Sequence, residues 1–146
     1  MDRRQAIQLL KGGKDSIEEW NRWRENHNDM PNLSHADFTH ADLSDANLSR
    51  VNLEETRFVK TQLVGTLFND SDLKGASFRY ANLNLAKLTD ANLVSANFKG
   101  ANLCGTDLRR TNLKGAIFQQ ADCDSDTRWP DHFDPRSVGL IPWPED

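Results

Sequence analysis

The chain has 146 residues, 37% of them hydrophobic, a formal net charge of −4 and a mean hydropathy of −0.72. That length suits one domain, the charge speaks against a polyanion-binding role, and no apolar run approaches the ~20 residues that span a bilayer. Two cysteines do not make a disulfide framework, and the start, Met1-Asp2-Arg3-Arg4-Gln5, lacks the apolar region of a secretory signal. A cytoplasmic protein is the expectation. So few apolar residues build a core only if they recur with strict spacing.

Residues 1–30 read as an N-terminal helical cap. Ala6, Ile7, Leu9 and Leu10 form an apolar patch, and Gly12-Gly13 breaks the run. Asp15 with Glu18 then resembles the capping box that starts a second helix. Ile17 and Trp20 line one face of it, with Trp23 at its margin.

Residues 31–125 divide into blocks of five. The third residue of each block runs Leu33, Phe38, Leu43, Leu48, Leu53, Phe58, Leu63, Phe68 and onward to Phe118 and Cys123; eighteen of the nineteen are Leu or Phe. Two positions before each lies a small or compact residue, broken only by Pro31, and between the two Asn and Asp are favoured. A period of five scatters around an α-helix and flips faces on a flat strand. The chain therefore turns once per block, with the large centre and the small residue pointing inward. Phe38, Phe58, Phe78, Phe98 and Phe118 recur every 20 residues, so four sides per coil stack them as one structural column. Nineteen blocks then make about 4.75 coils, a rod roughly 23 Å long.

These tandem Ala-(Asn/Asp)-(Leu/Phe)-x-x blocks resemble the pentapeptide-repeat family, in particular its cyanobacterial members, over 95 of the 146 residues. The resemblance implies an all-β solenoid, a right-handed quadrilateral parallel β-helix. It also implies one class of function, mimics of duplex DNA that protect DNA gyrase, while a rigid rod with varied outward columns suits a scaffold that binds proteins. The tail, residues 126–146, reads as an irregular Pro- and Trp-rich capping segment in which Thr127 to Pro135 resemble the C-terminal segment of cyanobacterial members. Ile17, Trp20, Trp129 and Phe133 are the expected capping residues, with Val138, Leu140, Ile141 and Trp143 among the tail's apolar set. The flanks either seal the rod ends or make a cap-mediated dimer.

No phosphate loop, dinucleotide fingerprint, zinc-ligand spacing or nucleophile elbow is present, so no catalytic residue, metal or cofactor is assigned. His27, His35, His40 and His132 are scattered. Cys123 is an inward centre and Cys104 an outward position one coil earlier, so their side chains are expected to diverge. Sorted by side, the outward charges are uneven. The Phe-column side carries Arg57, Lys60, Arg79 and Lys99 against Asp37, a balance of +3; the next side has Asp42, Asp45, Asp122 and Asp124 and no base. Arg57, Val59, Lys60, Arg79, Tyr80 and Lys99 are therefore the candidate partner-binding residues, Tyr and Arg being the usual anchors. A non-catalytic, regulatory scaffold for a protein partner fits this pattern best. The alternatives are a gyrase-directed DNA mimic, which wants a strongly anionic rod where the repeat sums to −1, and a weak nucleic-acid binder using the basic side, for which four bases and one aromatic are thin support.

Overall fold

The computed structural model describes residues 1–141. Trp143, expected in the tail's apolar set, lies outside the described residues. The chain opens with α1 (Arg3–Leu10) and α2 (Lys14–Glu25), and from residue 32 it enters a ladder in which each rung pairs with the rung 20 residues on. Parallel bridges run Asp37↔Arg57↔Ser77↔Asn97↔Ile117 on one side, and the other three sides follow the same step. Four blocks per coil is thus the observed geometry.

Each rung is one residue wide, so no extended strand is present among the described residues. The reason is local. Arg57 donates its N–H to the Ala36 carbonyl (2.9 Å) and its own carbonyl accepts from Phe38 (2.8 Å). Two residues later the chain is already in a turn, closed in the first blocks by Ala36 N–H to Leu33 O (3.2 Å) and Ala41 N–H to Phe38 O (2.9 Å). The second turn residue is left-handed in every block from His35 to Gln120, with φ between 54° and 73°.

The preference for Asn and Asp before each centre has a physical cause beyond turn tolerance. Their side-chain oxygen accepts the backbone N–H two residues on, as from Asn52 to Glu54 (3.1 Å) and Asn92 to Val94 (3.2 Å), a donor at the corner that the ladder leaves over. Threonine at the small inward position is satisfied likewise. Thr61 Oγ1 donates to Phe38 O and Thr66 Oγ1 to Leu43 O, each at 2.8 Å, so a buried hydroxyl carries no desolvation penalty.

Inside, the Phe column stacks as expected: Phe58–Phe78, Phe78–Phe98 and Phe98–Phe118 have ring centroids 5.0, 4.9 and 5.1 Å apart with interplanar angles of 9°, 3° and 5°. Phe68, on the opposite side of the coil, meets Phe58 and Phe78 edge-on.

At the N-terminal end the structure corrects the expected capping box. Asp15 lies inside the first turn of α2, whose N-cap is Gly13 with no side-chain hydrogen bond; the box belongs to α1, between Asp2 and Gln5. Asp15 is two residues too far into the helix to cap it, though a carboxylate there still meets the helix dipole favourably. Ile17 and Trp20 are buried against the first coil. More telling are the polar residues of α2. The Asn21 amide accepts from Asn47 N–H (2.8 Å) and donates to Asp45 O (2.9 Å). Trp20 Nε1 and Arg24 donate to Asn47 O, and Arg24 also to Ser49 O. Side chains of one helix thus stand in for the missing coil beneath the Asn47 rung. Arg24 is buried with no carboxylate partner among the described residues, and burial, with the nearby Arg50 charge, lowers its pKa to about 10.

At the C-terminal end the ladder continues past residue 125 after a one-residue shift. Asp107 bridges Arg128, a step of 21, and Thr127 Oγ1 donates to Leu103 O (2.8 Å), the role taken by Thr106 toward Leu83 one coil earlier. Trp129 and Phe133 close on Phe118 with centroids 5.5 and 5.7 Å away, leaving Phe118 1% exposed. The chain returns to the ladder at Ile141, which bridges Asp122.

Replacing Asn21 with Ala leaves Asn47 N–H without its acceptor and is expected to cost about 1–3 kcal/mol. The urea unfolding midpoint checks this against Asn26→Ala, a change to the C-cap residue of α2, whose side chain makes no hydrogen bond to the first coil; that change leaves stability nearly unchanged.

Candidate partner-binding side

The bridges that carry Arg57, Ser77 and Asn97 put these residues in one outward column. Val59, Arg79 and Lys99 follow at the corner, then Lys60, Tyr80 and Gly100 at 20-residue intervals. All six sequence-predicted residues therefore share one side and its following corner. Arg57, Lys60 and Arg79 are exposed, Val59 and Lys99 half-buried, and Tyr80 is 46% exposed.

Two features fix Tyr80. Its backbone is left-handed (φ 58°), which aims the side chain away from the turn, and its ring lies over Gly100 in the next coil. A Cβ on Gly100 would meet Tyr80 Cδ1 at 2.4 Å; only glycine leaves room for the ring there, and Gly100 is itself left-handed at φ 69°. The Arg79 guanidinium carbon stands 5.9 Å from the ring centroid, within cation–π range.

None of the four bases is ion-paired among the described residues. The ion pairs found are Arg109–Asp107, Arg110–Asp90 and Arg136–Asp134, away from this side. Its one acid, Asp37, is taken up by Thr39, which donates from Oγ1 (2.5 Å) and N (3.0 Å). Those hydrogen bonds hold the carboxyl below the ordinary range, helped by Arg57 and by Lys11. Lys11 lies just past α1, so the basic side continues onto the helical cap. The sequence reading missed this, because nothing in the spacing says above which side of the coil a helix will sit.

Elsewhere the chemistry is sparse. His27 stacks on Trp23 at 4.4 Å, His35, His40 and His132 occupy left-handed corners, and no group of metal-ligating side chains occurs among the described residues. Cys104 and Cys123 are free thiols. Burial first, then Cys104, Asp124 and Asp122, push the Cys123 thiol up to about 11; burial, Asp124 and Asp122 raise Cys104. A thiol kept protonated is a poor nucleophile.

The fold is a four-sided parallel solenoid with one patterned, unpaired basic side. The sequence pattern of the pentapeptide repeat region matches residues 32–108, and the chain belongs to the pentapeptide repeat family, whose proteins are right-handed β-helices. Among solved structures it is similar to Rfr23, a pentapeptide repeat protein of the cyanobacterium Cyanothece 51142, with 38% identity and a TM-score of 0.63 over 64% of this chain and 63% of that one. A pentapeptide repeat protein of the Arabidopsis thaliana thylakoid lumen gives 33% identity and a TM-score of 0.61 over 62% and 63%. The chain thus spans less than two thirds of the length of both. QnrB1, a plasmid-mediated fluoroquinolone resistance protein, is 19% identical with a TM-score of 0.48 over 75% of this chain and 55% of that one, too loose a likeness to bear on function. No curated protein matches.

Two outcomes test the site's construction. Gly100→Ala, which both strains a left-handed corner and displaces the Tyr80 ring, is expected to lose about 1–2 kcal/mol, whereas Tyr80→Gly relieves such strain and keeps the urea midpoint at or above that of the parent. For the thiols, iodoacetamide at pH 8 labels the folded protein slowly, and Cys123 gains reactivity only as the pH nears about 11; mass spectrometry of the two cysteine peptides measures it.

Proposed function

We propose that this protein is a non-catalytic interaction scaffold that binds a protein partner through the Phe-column side. The observation that supports this reading most directly is the union of unpaired bases and a positioned aromatic: Arg57, Lys60, Arg79 and Lys99 in no ion pair among the described residues, beside a half-exposed Tyr80 seated on Gly100. Holding a large side chain in place before binding lowers the entropy cost of association, and Tyr and Arg are the residue types that most often anchor interfaces. The ladder keeps their spacing fixed. Lys11, at the edge of the same side, adds to the field that draws in an acidic partner. The mixed charge of the four sides does not favour imitation of duplex DNA.

The test compares tagged parent protein with the Arg79→Ala/Tyr80→Ala double variant in capture from host lysate, followed by mass spectrometry. A partner retained by the parent and lost by the variant, with both showing the same unfolding midpoint, is the expected result. Equal capture by both moves the site to another side; protection of gyrase in a supercoiling assay would replace the scaffold reading with the DNA-mimic one.

A further inference from the structure

The two ends of the rod are sealed differently. At the N-terminal end the first-coil centres Leu33, Phe38, Leu43 and Leu48 are all 0% exposed, so the helices close the core even where the outer rungs at Asp37 and Asp42 lack a partner. At the C-terminal end the Phe118 side is closed by Trp129 and Phe133, and the Leu108 and Cys123 sides receive the bridges from Arg128 and Ile141. The remaining side, that of Leu113, receives neither. Asn112 bridges Asn92 below and nothing above among the described residues. Leu33, Leu53, Leu73 and Leu93 beneath it are 0% exposed, yet Leu113 is only partly buried.

The groups left open are those that pair in the coils directly below. In the lower coil of this side, Leu93 N–H donates to Asn112 O (3.0 Å), Ser95 N–H donates to Lys114 O (2.9 Å), and Ala91 O accepts from Asn112 N–H. One coil up, the equivalent Leu113 N–H, Gly115 N–H and Thr111 O have no hydrogen-bond partner among the described residues. Over them runs an open groove of about 470 Å³, lined on one wall by Thr111 to Lys114 and on the other by Pro130 to Phe133. The tail leaves the ladder after Trp129 and arches past this rung instead of pairing with it.

We propose that the Leu113 rung is a second binding site, which takes one extended strand of a partner protein by parallel strand addition. Register specifies the guest. Its middle residue donates its N–H to Thr111 O and accepts from Leu113 N–H. The residue after it points onto Leu113, as Leu113 does onto Leu93, and so is Leu or Phe. The residue before it points inward over Thr111 and is small. The guest therefore carries the pattern small–x–Leu/Phe, the pattern of the repeat itself, because it completes the next rung. This site lies at the rod's end and is independent of the basic side.

The probe is a synthetic peptide copying residues 89–96, Thr-Asp-Ala-Asn-Leu-Val-Ser-Ala, the segment that forms the rung directly beneath in the chain. Titrated into isotope-labelled full-length protein, it is expected to shift the amide signals of Leu113 and Gly115 and slow their hydrogen exchange, leaving Asp37 and Asp42 unmoved. N-methylation of its Asn removes the donor to Thr111 O and is expected to weaken binding about tenfold or more; replacing its Leu with Asp abolishes it. Absence of shifts at about 1 mM peptide, or equal binding by the N-methylated peptide, overturns the proposal. So does a free protein in which the Leu113 and Gly115 amides already exchange as slowly as that of Leu93, since the rung is then filled by the chain itself or by a second copy.

Discussion

A chain that turns every five residues must place one residue in five in the left-handed backbone region, and the rest of this molecule is arranged around that demand. For a residue with a side chain the conformation costs about 1–2 kcal/mol, and the structure meets it at His35, Arg50, Lys60, Tyr80 and Leu85 as readily as at Gly65 or Gly75. What makes it bearable is repetition. Each turn delivers a large centre to a column of like side chains and aligns a rung whose hydrogen bonds join it to the coils on either side. The strain is local; the compensation is collective, as in solenoids whose units stabilise only their neighbours.

The same corners shape the surface. A left-handed corner residue leans toward the next coil, so the residue 20 positions on must leave it room. Gly65 lies under Asp45, Gly75 under Glu55, Gly100 under Tyr80 and Gly105 under Leu85. Arg110 and Asp90, both large and oppositely charged, pair across one coil. Glycines in the repeat are therefore read best as pairs with the residue one coil earlier. Two of the most exposed apolar side chains, Tyr80 at 46% and Leu85 at 59%, are both seated on glycine, and so are presented in place where free rotation would be expected of surface residues.

The repeat was legible because its signal is redundant: eighteen of nineteen centres agree, and the 20-residue spacing of five phenylalanines selects four sides without further knowledge. The ends carry no such redundancy. Asn21 and Arg24 look like ordinary polar residues of an amphipathic helix, and their work in replacing a missing coil depends on where α2 sits against Asn47. The shift after Cys123 hides the last rung in the same way, since Thr127-Arg128-Trp129 repeats small–x–large one residue out of phase. The candidate binding residues were legible as a set, because a fixed period assigns each outward residue to its side, but the seat of Tyr80 on Gly100 and the approach of Lys11 are relations across coils and across the cap, which no linear pattern states.

Core and surface are nearly uncoupled in this fold. The inward positions of each block determine stacking, the Asn or Asp position satisfies the corner, and the two turn residues face outward with little influence on either. A solenoid of this kind can change its partner by changing corner residues alone, at the cost of a glycine placed one coil later whenever a large side chain must be held flat. Tyr80 with Gly100 and Leu85 with Gly105 show that cost being met on adjacent corners of one coil. The recognition proposed for this side of the rod therefore rests on the seated aromatic beside bases unpaired among the described residues, more than on the count of bases.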